Sequence, residues 1–127
     1  MDYNLLNGNT LAYLGDVVWS LYVREYLIKC KVTKTKILQQ ETIKYVSAKA
    51  QAKLYYYLDE NSILNEQEVE IYKRGRNSKS KSSPKNTDII TYQISTGVEA
   101  LIGYLYLNDY HARIKEIFDI AIKINQE

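Results

Sequence analysis

Apolar residues recur along this chain at the spacing of helix faces rather than of strands. Near the C-terminus Ile114, Ile117, Phe118, Ala121, Ile122 and Ile124 follow one another largely at three- and four-residue intervals. On a 3.6-residue helix that spacing makes one apolar face. The same pattern predicts helices over residues 10–29, 35–45, 47–58, 66–73, 88–107 and 110–124. Asn65 followed by Glu68, and Ser47 after Val46, read as helix starts, since a short oxygen-bearing side chain there accepts from the first free N–H groups. No alternating Val/Ile/Thr run suggests a strand, and one proline and five glycines leave little to interrupt helices. The expected fold is an all-α bundle, in one domain of 127 residues.

One stretch departs from the pattern. GRNSKSKSSPKN, residues 75–86, has no apolar residue besides Pro84, and reads as a flexible surface loop. Between Glu70 and Asp88 the chain carries Lys73, Arg74, Arg76, Lys79, Lys81 and Lys85 with no acid among them, six of its 17 basic residues. A charge run is most often a solvated face. Ser and Asn that donate to phosphate oxygens, beside Lys and Arg that neutralise them, equally suit a nucleic-acid backbone. The absence of aromatic residues from the loop points to a duplex rather than to stacked single strands.

Two apolar runs each hold a single carboxylate. Asp16 is the only charged residue between Asp2 and Arg24, and Glu99 the only one between Asp88 and Asp109. A carboxylate in apolar surroundings costs several kcal/mol unless a basic partner, a fan of hydrogen-bond donors, protonation or a metal ion compensates it. Neither run supplies a base. Glu99 has a plain structural reading as well, because Thr96-x-x-Glu99 matches a capping box. If instead both acids lie on helices that pack together, they repel unless a cation joins them, and Mg²⁺ suits one or two carboxylates with several waters and a substrate phosphate. One cysteine (Cys30) and one histidine (His111) exclude a disulfide framework, a cysteine-based zinc site and a multi-histidine centre. Cys30 reads as a helix-end residue and His111 as surface. Thirteen tyrosines are expected largely at the core edge, with one or two of Tyr55, Tyr56 and Tyr57 reaching a partner subunit. No leader-like or membrane-spanning run is evident, so a cytoplasmic protein is expected.

These pieces carry a resemblance. LAYLGD, ending at Asp16, is similar to the signature helix of ribonuclease III catalytic domains, and EALIGYLYL, opening at Glu99, resembles their second acidic helix. VSAKAQA (46–52), KRGRNSKS (73–80) and PKNTD (84–88) resemble the short bacterial branch of that family, Mini-ribonuclease III, which consists of the catalytic domain alone. The resemblance spans nearly the whole chain. It implies an all-α, ribonuclease III-like homodimer with a groove for double-stranded RNA. It implies hydrolysis with Mg²⁺, for which Mn²⁺ can stand in, to 5′-phosphate and 3′-hydroxyl ends, in maturation of the large-subunit (23S) ribosomal RNA precursor.

Carried over by position, Asp16 and Glu99 are the catalytic, metal-binding acids. The larger enzymes have further acids four residues before the first and three before the second. Here Ala12 and Thr96 stand there, so the resemblance implies a reduced site. A separate double-stranded-RNA-binding domain is not expected, leaving RNA contact to Lys73, Arg74, Arg76, Asn77, Lys79 and Lys85. The rival expectation is a ribonuclease III-like protein that binds structured RNA or ribosomes without cutting, and a second rival is a helical interaction module whose basic loop is merely solvated.

Overall fold

A computed structural model describes residues 1–78 and 87–126. Among them, a short 3₁₀ turn at Tyr3–Leu5 precedes six α-helices: α1 (Gly8–Lys29), α2 (Thr35–Val46), α3 (Ala48–Glu60), α4 (Glu66–Arg76), α5 (Ile89–Leu107) and α6 (His111–Asn125). The helix starts follow local chemistry. Ser47 caps α3 through Ala50 N–H at 3.2 Å. Asn65 caps α4 in a reciprocal box with Glu68, and Asp88 caps α5 by accepting from Thr91 N–H and Oγ1, each at 2.8 Å. These two bonds hold the Asp88 carboxyl below its usual range. Cys30 is the exposed C-cap of α1, and exposed His111 opens α6 beside Asp109 at 3.4 Å.

Helix α5 is apolar on nearly every side, and it is the helix the others enclose. It packs most extensively on α1, then on α4 and α3, and more lightly on α6. Its Ile94, Val98, Leu101, Ile102 and Leu105 meet a core that includes Leu11, Trp19, Val23, Leu54, Leu58, Ile71, Ile114 and Ile117. The only phenylalanine, Phe118, is a hub for aromatic edges from Trp19, Tyr22 and Tyr26, with centroids 5.3, 5.7 and 5.8 Å away. Trp19 Nε1 donates to the Tyr45 carbonyl at 3.2 Å.

The glycines decide how closely the helices approach. A Cβ at Gly15 would lie 1.7 Å from the Glu99 carbonyl oxygen, and one at Gly103 2.0 Å from that of Leu11. Backbone therefore meets backbone where α1 and α5 run antiparallel, an approach no side chain larger than hydrogen permits.

Helix α4 differs from expectation. It runs three residues past Lys73, so Gly75 and Arg76, expected in the loop, are helical. Gly75 is buried, with its Cα facing Gly97 and the Ala100 methyl. Its want of a side chain serves packing inside the helix, and not a break. Residues 79–86, the remainder of the expected loop apart from Asn77 and Ser78, lie outside the described residues.

Candidate active site

The Gly15 contact puts the next residue, Asp16, opposite Glu99. The two carboxyl groups share one pocket, close enough for Asp16 to act on the ionisation of Glu99. Glu99 is pushed up to about 8: burial acts first, the Asp16 hydrogen bond and charge add to it, and a hydrogen bond from Gln51 opposes them. The acids differ in exposure. Glu99 is half-buried, while Asp16, expected in apolar surroundings, is exposed on its side of α1. Tyr13 and Val17 share that exposed side with it, while Ala12, Gly15, Val18 and Trp19 turn to the core.

The capping-box reading of Glu99 does not hold. Thr96 sits in the middle of α5, and its Oγ1 donates back to the Tyr92 carbonyl at 3.1 Å.

Both acids line a pocket of about 210 Å³ between α1, α4 and α5. Ala12 and Thr96 line it too, so the two positions without acids face the same space as the two with them. Arg76 and Ser78, from the end of α4, complete its polar wall, and Tyr13 borders it. A larger cavity of about 740 Å³, lined by Trp19, Lys49, Lys53 and Ile124 among others, contains neither acid.

The chemistry of the pair fits a divalent cation. Two facing carboxylates, one reluctant to ionise, are relieved by a positive charge shared between them. Among the described residues no cluster of three or more His, Cys, Asp or Glu is present, so two carboxylates, waters and a substrate phosphate would make up the coordination of a hard ion such as Mg²⁺.

The basic residues separate into different roles. Lys73 and Asn77 are exposed. Arg76 Nε donates to Asn77 Oδ1 at 3.2 Å on the pocket's rim. Arg74 is turned inward: its guanidinium donates to the carbonyls of Asn4 and, at 3.0 Å, Leu6, and pairs with Glu70 at 3.2 Å. It ties the N-terminal segment to α4, which competes with the expected RNA contact. Lys79 and Lys85 lie outside the described residues.

Sequence reasoning passed over Gln51. It is 2 % exposed, and its Nε2 donates to the Val46 carbonyl at 3.1 Å. Its signal was available: Gln51, Leu54 and Leu58 share one buried face of α3, an amide at an apolar position.

Known proteins resemble this chain in sequence and fold. Residues 9–110 match the ribonuclease III domain family. The chain belongs to the ribonuclease III family. Its relatives include the Mini-ribonuclease 3 proteins of Streptococcus pneumoniae, 47% identical over 97% of this chain and 96% of the relative, and of Brevibacillus brevis, 48% identical over 97% and 90%. An X-ray crystal structure of a Fusobacterium nucleatum protein superposes with a TM-score of 0.84 at 33% identity, covering 92% of this chain and 93% of that one. The expected all-α, ribonuclease III-like bundle and the Mini-ribonuclease III resemblance both hold.

Proposed function

We propose that this chain is a Mg²⁺-dependent endoribonuclease that hydrolyses double-stranded RNA as a homodimer, leaving 5′-phosphate ends. Its substrate is the 23S ribosomal RNA precursor, and its place the cytoplasm. The observation that carries the reading is the Asp16–Glu99 pair, two facing carboxylates in one pocket with the end of a basic helix. Membership of the ribonuclease III family supplies the reaction class. Among the described residues no helix is long and apolar enough to cross a membrane.

Asp16 and Glu99 would hold the cation, with Mn²⁺ able to replace Mg²⁺. Such an ion makes hydroxide available near neutral pH and stabilises the charge that builds on the scissile phosphate. The chain's own groups set the conditions. Glu99 must give up its proton to serve as a ligand, so the site favours mildly alkaline pH. Arg76 and Ser78 on the pocket wall are placed to donate to phosphate oxygens beside the acids. Lys73 and Asn77 extend that donor surface along α4, and Lys79 and Lys85 belong to the same proposed clamp. Contacts of this kind make duplex binding steeply salt-dependent.

The homodimer has support in an exposed stripe on α1. Tyr13, Val17 and Leu21 are 82%, 61% and 59% exposed, and their i, i+4, i+8 spacing stacks them on one face. An apolar row of this kind beside a polar pocket suits cover by a second copy. Of Tyr55, Tyr56 and Tyr57, one or two of which were expected to reach a partner, Tyr55 is stacked on Tyr72 at 3.8 Å and Tyr56 is the exposed member.

Incubation with long duplex RNA and Mg²⁺, beside Asp16→Asn, tests the reading. Short products with 5′-phosphate ends from the wild type alone are expected. A duplex that is bound but left intact by the wild type would favour the non-cutting alternative for which Ala12 and Thr96 speak.

A further inference from the structure

The pocket that holds Asp16 and Glu99 also has a neutral polar wall. Gln93, about one turn before Thr96 on α5, lines it together with Arg76 and Ser78. Its side chain is half-buried, and its amide makes no hydrogen bond with another described residue. It also stands off the stripe of Ile94, Val98 and Leu101 that enters the core. Neither packing nor an internal bond accounts for an amide at this place.

The other polar groups of the pocket are suited to a phosphate: two acids to hold a cation, and Arg76 and Ser78 to donate. Gln93 has no charge with which to neutralise a phosphate, and its amide oxygen accepts where a phosphate needs donors. A donor and an acceptor side by side match a group that is itself both, and a hydroxyl is such a group. In RNA the bond that breaks to leave a 5′-phosphate joins phosphorus to O3′, and the next carbon of the sugar bears the 2′-hydroxyl. With the phosphate at the acids, in a pocket of about 210 Å³, that hydroxyl falls within the same walls. It is the group that distinguishes RNA from DNA at a given nucleotide. Thr96 gives its own proton to the Tyr92 carbonyl at 3.1 Å, so toward a substrate it can only accept.

We propose that Gln93 is a specificity-determining residue, whose side-chain amide hydrogen-bonds the 2′-hydroxyl beside the scissile phosphate and restricts cleavage to ribose. The inference rests on the duplex-cleaving reading above and deepens it. Tyr92 lines the same pocket with a phenol that can also donate and accept, and is the rival residue for this contact.

A short RNA duplex with one cleavage site, and the same duplex with a single 2′-deoxynucleotide 5′ to the scissile bond, test the proposal in single turnovers. Wild type should cut the all-ribose duplex at least about tenfold faster. Gln93→Met keeps an unbranched side chain of similar length without the amide. Its ribose preference should shrink at least about fivefold, the scale of one neutral hydrogen bond. Effects of the sugar on the leaving oxygen are common to both enzymes and cancel in this comparison. A variant that slows both duplexes equally, or neither, overturns the proposal. So does a preference that Tyr92→Phe abolishes and Gln93→Met keeps, or a lowered melting temperature in Gln93→Met with the preference intact.

Binding separates this proposal from the proposed function. Should the wild type hold duplex RNA without cutting it, that function falls. The ratio of affinities for duplex RNA and an RNA–DNA hybrid, measured by fluorescence anisotropy in wild type and Gln93→Met, then decides the role of Gln93. A smaller ratio in the variant supports the ribose contact, and an equal ratio overturns it.

Discussion

Two glutamates of this molecule leave water by opposite routes. Glu68, on α4, is 2 % exposed, more deeply covered than Glu99. It is matched on every side: Arg113 donates to its two oxygens at 2.7 Å each, reaches on to the Ile63 carbonyl at 2.8 Å, and the same carboxylate accepts from Asn65 N–H at 3.0 Å. The pairing in turn raises the Arg113 guanidinium further above its ordinary range. Among the described residues Glu99 has no such ion pair; it shares its pocket with another acid. Burial alone therefore does not mark a functional carboxylate. A buried acid with a fitted base fastens α4 to α6, whereas a half-buried acid set against a second acid suits the proposed role of holding a cation.

Breaking the matched pair should give the largest change in stability. Glu68→Ala takes from half-buried Arg113 its bidentate carboxylate and leaves it only Glu116 at 3.3 Å and the Ile63 carbonyl, and a loss of about 3–5 kcal/mol is expected in chemical denaturation. Cleavage per folded molecule should be unchanged, and a selective loss of activity would erase the distinction between the two glutamates.

The unmatched pair should respond in the reverse sense. Glu99→Gln is expected to lower turnover on the order of 10²–10³-fold, the scale of losing one electrostatic stabiliser at a reacting centre. Yet it should raise the melting temperature at pH 8, because it removes a carboxyl that folding disfavours in its charged form. A variant that is both inactive and less stable at pH 8 would place Glu99 with Glu68 as a fastening residue.

The pH dependence sharpens this further. With its folded value raised to about 8 from an ordinary 4.5, Glu99 binds a proton in the folded state that the unfolded chain has lost. Its contribution to stability is full below about 4.5 and is lost as the pH rises toward and through 8. In metal-free wild type this should appear as a fall of several degrees in melting temperature across that window, absent in Glu99→Gln. Mg²⁺ should restore more of it at pH 8 than at pH 6, since the ion competes with the proton. Equal restoration at both values would argue against Glu99 as a ligand.

The smallest contrast lies between neighbouring arginines. Arg74→Met removes internal bonds to the N-terminal segment and should cost about 1–3 kcal/mol of stability, with little change in the salt dependence of RNA binding. Arg76→Met should weaken duplex binding and flatten its salt dependence by about one charge, leaving the melt near wild type. Filter binding across a salt series, beside thermal melts, separates the two.

Much of this was legible in the chain itself. The six helices and the caps at Ser47 and Asn65 follow from local chemistry and spacing, whereas the pairing of Asp16 with Glu99 was implied only by the family resemblance. The end of α4 was not, because Gly75 looks like a breaker until Gly97 and Ala100 are seen against it. Neither was the burial of Glu68, which sits among Glu66, Gln67 and Glu70 in a segment that reads as solvated. Its base is 45 residues away. For Glu99, a capping box and a site acid fit the same four letters, and only the position of Thr96 inside α5 separates them.

What the sequence by itself determined is the helical order and the isolation of two acids in apolar runs, since both are properties of neighbours along the chain. The tertiary structure decided which acids are matched and which are not. Matching depends on what another helix brings across the interface: Arg113 to Glu68, Asp16 to Glu99. Asp16 reaches Glu99 because Gly15 lets two backbones touch, and a glycine inside a helix reveals that purpose only when the partner is in place.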